Sequence, residues 1–233
     1  MKPCVKNHLH SCGPNAAQKW DLASFSLSLY ALRPILAGEE ITMIYTDVTA
    51  SRETRRTKLR SMYGFDCTCT YCDLINDDAI ARSDLARAEL RDWKYINPGF
   101  LNWSTDMCRS DDTIIKSHQR ALELINQEGM HGLQCTYLDG IALSYAMLGD
   151  VEQFRVWGQR LVDVCVVQDP EHAAEYVRWL ANPQSLKKWG WRTKQRLREF
   201  FASFKPFEVN RLFLEASRGR RRRGDSSALL RSP

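Results

Sequence analysis

The sequence has no apolar run approaching the roughly 20 residues that a membrane-spanning helix requires. Its opening, Met1-Lys-Pro-Cys-Val-Lys-Asn-His8, has no apolar core of the kind that drives secretion. Membrane-spanning and secreted classes are thereby set aside. Nor is there a basic surplus on the body of the chain. The formal net charge of +5 is carried by residues 218–233, where six arginines accompany one aspartate, so Met1 to Ser217 is formally neutral. That argues against direct nucleic-acid binding, which places its basic surplus on the folded part. A His/Asp or carboxylate dyad of the acid–base type is also lacking. Glu39 and Glu40 are adjacent on an extended segment and point to opposite faces, so they read as a solvated strand entry. The remaining composition, 44% hydrophobic and 26% charged over 233 residues, fits one large globular domain or two small ones.

What the chain does have is cysteine, eight residues in all. With no secretory signal the expected setting is intracellular and reducing, nucleus or cytoplasm, where clustered cysteines read as metal ligands rather than disulfides. Cys67-Thr-Cys69-Thr-Tyr-Cys72 concentrates three thiols in six residues. A closed structural zinc site takes four ligands, so the fourth must come from elsewhere. Cys108, Cys135 and Cys165 are scattered through helical sequence and read as buried small hydrophobes.

Periodicity divides the chain in two. Phe25, Leu27, Leu29 and Ala31 alternate with Ser24, Ser26 and Ser28, which predicts a half-buried strand, and Glu40 to Thr46 reads as a second short strand. Ser51 to Tyr63 reads as a helix capped by Ser51, with Leu59 and Met62 on its apolar face and Gly64 ending it. Beyond Asp73 the spacing is helical over 79–93, 113–127, 134–148, 151–168, 171–180 and 193–203. Gly149-Asp150 breaks two of these helices into a hairpin of the tetratricopeptide-like (TPR-like) kind. Residues 219–233 form a basic tail without periodicity and read as disordered, with Arg220 to Arg223 open to a nuclear-import reading.

Three further segments occur in a fixed order: His10-Ser-Cys-Gly-Pro-Asn15, then Gly38-Glu-Glu-Ile-Thr-Met-Ile-Tyr45, then Tyr63-Gly-Phe-Asp-Cys67 leading into the cysteines. Together with the helical remainder they resemble the second half of a SET domain, its post-SET cysteines and the C-terminal region of the SET and MYND domain methyltransferases. The resemblance implies an α+β fold. A partial SET β-fold spans 1–48, a linking helix and post-SET zinc cluster 49–75, and a TPR-like helical region 76–217, with the tail at 218–233.

The resemblance also implies chemistry. It makes Cys12 the fourth zinc ligand beside Cys67, Cys69 and Cys72. It implies S-adenosylmethionine as cofactor and a protein lysine, on a histone or another protein, as methyl acceptor. His10, Tyr63 and Phe65 fall where the family contacts the cofactor, and Tyr45 falls at the tyrosine of the lysine channel. In-line transfer from a sulfonium needs a neutral amine, aligned and desolvated, so no general base is required. Two departures are visible. Leu9 stands where the family has Asn, and the Gly-rich loop, early strands and MYND module of the first SET half are not among these 233 residues. The chain by itself is therefore expected to bind the cofactor poorly. Read without the resemblance, Tyr45 is an ordinary strand aromatic and His10 a core histidine. The competing function is a zinc-stabilised helical interaction module without catalysis.

Overall fold

The computed structural model describes residues 9–203. Strands β1 (Ala16–Asp21) and β2 (Ser26–Ala31) pair antiparallel, from Ala16 opposite Ala31 to Asp21 opposite Ser26. The side chain of Asp21 closes the turn by accepting from the Ala23 amide at 2.9 Å and the Ser24 hydroxyl at 2.6 Å. Strand β1 lacks apolar alternation over most of its length and was not foreseen from pattern. The expectation for 25–31 needs correcting too. Leu27 and Leu29 do share one face, yet they are 53% and 55% exposed, because no described element covers the hairpin there. Glu40 to Thr46 is extended but forms no strand: it meets residues 9–11 through one parallel bridge between His10 and Met43.

Helix α1 (Arg52–Tyr63) begins where Ser51 accepts a hydrogen bond from the Thr54 amide at 3.3 Å. It ends where Gly64 takes a left-handed φ of 72°, a conformation glycine adopts without steric cost. Leu59 is buried as its spacing implies, whereas Met62 is exposed, and the second inward position is Arg55, one turn before Leu59. Helix α2 (Asp77–Arg91) stops one residue short of the short helix α3 (Trp93–Ile96), and the unforeseen α4 (Phe100–Thr105) follows.

The helical core is then built in sequence order by α5 (Thr113–Glu128), α6 (Gln134–Leu148), α7 (Val151–Cys165) and α8 (Pro170–Ala181), each packing on the next. Left-handed glycines at 129 and 149 make the tight turns that reverse the chain. Leu138, Ile141 and Ala142 of α6 close on Phe154 and Leu161 of α7 and Tyr176 of α8 in one apolar cluster. Helix α9 (Trp191–Ser203) is fastened by a buried arginine, Arg192, whose Nε donates to Asp111 Oδ1 at 2.7 Å while its guanidinium lies 4.5 Å from the Trp103 ring centre.

The scattered cysteines depart from the reading as buried small hydrophobes. Cys135 and Cys165 are disulfide-bonded, stapling the start of α6 to the end of α7, and Cys108 is exposed. Antiparallel packing brings two residues 30 apart in sequence side by side, which spacing alone does not reveal. No described helix is long and apolar enough to cross a membrane. The basic tail, Asn7 and Cys4 lie outside the described residues.

Candidate functional site

The site is assembled where residues 9–15 run alongside 39–46. The Met43 amide donates to the Leu9 carbonyl at 2.7 Å and the Ser11 amide to the Met43 carbonyl at 3.0 Å. Asn15 secures the next stretch from a buried position. Its Nδ2 donates to Glu39 Oε1 at 2.9 Å and the Glu40 carbonyl at 2.8 Å, and its Oδ1 accepts from the Thr42 amide at 2.8 Å. Only a side-chain amide both donates and accepts in this way. Glu39 is thus not merely solvated: the Arg33 guanidinium, then Asn15, bring its carboxyl down to about 2.

Gly64 turns the chain out of α1 so that Cys67, Cys69 and Cys72 meet Cys12. The four sulfurs all lie within 4.8 Å of one another, with Cys12 and Cys72 at 3.5 Å. Four thiolates at about 2.3 Å from a tetrahedral zinc would stand about 3.8 Å apart, so the donor set suits that ion. One main-chain amide and one guanidinium face its sulfurs. The Cys12 amide donates to Cys69 Sγ at 3.4 Å, and the buried Arg55 guanidinium lies 4.0 Å from Cys72 Sγ. Hydrogen bonds from Cys12, Cys67 and Cys72 hold the Cys69 thiol well below its ordinary range, while the bonds to Cys67, Cys69 and Cys72 and burial push Cys12 up.

His10 sits between this centre and three aromatic rings. Its ring centre is 5.2 Å from Tyr45 and 5.8 Å from Phe65, and Tyr45 is 5.2 Å from Tyr63. Burial lowers the His10 pKa. Nδ1 accepts from the Tyr45 amide at 3.2 Å, and Nε2 lies 3.5 Å from Cys12 Sγ. Tyr45 and Phe65 are half-buried and Tyr63 is 44% exposed. An adjoining cleft of about 500 Å³ is lined by His10, Asn15, Arg33, Glu39, Phe65 and Tyr71 among others; Tyr45 and Tyr63 are not among its walls.

Pattern reading did not find the buried ionic residues. Arg55 donates to the Ala50 carbonyl at 2.5 Å and the Tyr71 carbonyl at 3.3 Å. Arg87 of α2 reaches Glu128 Oε2 at 3.0 Å and the Cys12 carbonyl at 3.2 Å. Spacing did hold a signal: Arg55 is four residues before Leu59, and Glu128 continues the buried stripe of Ala121, Leu124 and Ile125.

The SET domain family matches residues 6–46. Histone-lysine N-methyltransferase SMYD3 of Homo sapiens is 31% identical over 146 residues, covering 58% of this chain and 32% of that protein. Histone-lysine N-methyltransferase set5 of Schizosaccharomyces pombe is 35% identical over 81 residues, 35% of this chain and 25% of that protein. Protein-lysine N-trimethyltransferase SMYD5 of Gallus gallus is 42% identical over 78 residues, 32% and 19% of the two chains. This chain spans a third or less of the length of these curated relatives.

Proposed function

We propose, from the premise that this chain is a SET- and SMYD-like protein, that residues 9–72 form one side of a protein-lysine N-methyltransferase site that uses S-adenosylmethionine. The observation that carries the reading is the convergence of His10, Tyr45, Tyr63 and Phe65 into one run of rings against a four-cysteine centre. Cys12, Cys67, Cys69 and Cys72 would hold a structural zinc, since four thiolates leave no open coordination position. Tyr63 and Phe65 offer ring faces for the adenine of the cofactor, and the described residues supply one wall only. The cofactor supplies the methyl group. The protein's part is to keep water away from the lysine amine, which favours its neutral form, and to orient that nitrogen through the Tyr45 hydroxyl. The acceptor is a lysine of a histone or another protein, and the helices beyond residue 76 act as a TPR-like support.

Calorimetric titration of S-adenosylmethionine into the zinc-loaded chain tests this, together with radiolabelled methyl transfer to histone and lysate proteins. Binding should be weak, sensitive to Phe65→Ala and insensitive to Phe100→Ala, and whatever transfer occurs should fall in Tyr45→Phe. A complete absence of binding at millimolar cofactor would reject the reading. It would favour a zinc-stabilised interaction module, to which the replacement of a polar residue by Leu9 already leans.

A further inference from the structure

We infer that His10 is a positioning residue that couples the cysteine centre to Tyr45 through a fixed tautomer. The Met43 amide bonds the Leu9 carbonyl and the Ser11 amide bonds the Met43 carbonyl. A parallel ladder continued by one step would give the Tyr45 amide to the Ser11 carbonyl. That step is missing, and the Tyr45 amide donates instead to Nδ1 of the His10 side chain at 3.2 Å. Tyr45 is therefore held by a ring rather than by the main chain.

The ring is itself held at its other end. A backbone N–H can only donate, so Nδ1 carries no proton and the neutral imidazole must carry it on Nε2. Nε2 lies 3.5 Å from Cys12 Sγ, which places that N–H against the sulfur. Both nitrogens are thus committed to protein partners in a buried position, leaving neither for a cofactor. The path from Cys12 Sγ through the imidazole to the Tyr45 amide is continuous. Whatever fixes that sulfur fixes the ring, and the ring fixes the start of the segment that carries the tyrosine. A ligand's partner acting on a functional residue in this way is orientation from outside the coordination shell.

The functional meaning rests on the proposed role of Tyr45, whereas the coupling does not. The test uses the full zinc-loaded chain labelled with nitrogen-15. Long-range proton–nitrogen spectra should show His10 protonated on Nε2. Amide exchange should show Tyr45 protected, and the protection should fall about tenfold in His10→Ala, the size of one lost hydrogen bond. His10→Asn can offer its Oδ1 where Nδ1 stood and should restore protection; His10→Gln reaches toward the sulfur and should not. Zinc content should stay at one per chain in all three, which a purely structural collapse would not allow. Observing the Nδ1-protonated tautomer in the unsubstituted chain overturns the inference even if no variant folds. Unchanged Tyr45 protection in a folded His10→Ala protein overturns it as well. Failure to bind S-adenosylmethionine would reject the methyltransferase reading and leave these spectra untouched.

Discussion

Arg87 on α2 donates to the main-chain carbonyl of Cys12 at 3.2 Å while its Nε pairs with Glu128, at the end of α5, at 3.0 Å. One guanidinium thereby joins the cysteine loop to the helical core, and it also donates to the Val48 carbonyl. Ser83 completes the arrangement by donating to the same Glu128 oxygen at 2.6 Å. Both charged side chains are almost fully buried, so removing one strands the other. Arg87→Met should cost about 3–5 kcal/mol, and adding Glu128→Met should recover part of that loss. Urea unfolding of the two single variants and the double variant measures it. Additive losses would mean that the two groups do not depend on each other.

Metal content distinguishes the cysteines. Cys12→Ser should lose bound zinc, whereas Cys108→Ser, altering an exposed thiol, should retain it. Arg55→Met removes the positive group 4.0 Å from Cys72 Sγ and should weaken zinc affinity by about 10–100-fold, the usual effect of losing an outer partner. Competition with a chromogenic chelator reads all three. Equal affinity in Cys12→Ser and Cys108→Ser would exclude Cys12 as a ligand.

Tyr71 is wedged between two glycines from different parts of the chain. A Cβ on Gly13 would lie 2.1 Å from its ring, and one on Gly129 would lie 2.2 Å from its hydroxyl oxygen, so neither position has room for a side chain. Gly13→Ala should destabilise by about 1–3 kcal/mol through overpacking. Tyr71→Ala should relieve that clash, making Gly13→Ala nearly neutral in its background. Thermal melts of the four proteins would refute the wedge if the Gly13→Ala penalty were the same with and without the tyrosine.

His118 provides a pH-dependent contribution. Burial brings its pKa down to about 4, and its ring packs edge-on to Trp93 and Tyr137. The unfolded chain takes up this proton near pH 6.5 and the folded chain only near 4, so stability falls as pH drops through that interval. The loss should total on the order of 3 kcal/mol. His118→Phe should flatten this part of the profile while the melting temperature above pH 7 changes less. A slope between pH 6.5 and 4 that survives the substitution would assign it to other groups.

Much of the helical architecture was legible because its signals are local. Ser51 and Gly64 bound α1, and Gly149 separates α6 from α7, each acting through backbone geometry within a few residues. The tight C-x-C-x2-C spacing likewise brought three thiols of the four-cysteine cluster together without reference to distant parts of the chain. The failures share a different cause. Alternation along 25–31 correctly placed Leu27 and Leu29 on one face, but a face is buried only if something lies on it. The extended segment 40–46 carried strand-like residues, yet pairing depends on a partner running beside it, and here that partner offers a single bridge.

By itself the sequence determined where helices start and stop, which residues share a face, and which thiols can act together through nearness along the chain. Those properties follow from φ/ψ preferences and from periods of 3.6 and 2.0 residues, which neighbours in sequence already express. That Cys12 joins Cys67, Cys69 and Cys72 followed from the resemblance and not from spacing, whereas tertiary structure alone decided that Cys135 bonds Cys165 and that the buried Arg87 links Cys12 to Glu128. These contacts span 30 to 75 residues, and a charge or thiol is drawn inward only when folding brings it a partner to offset the loss of water.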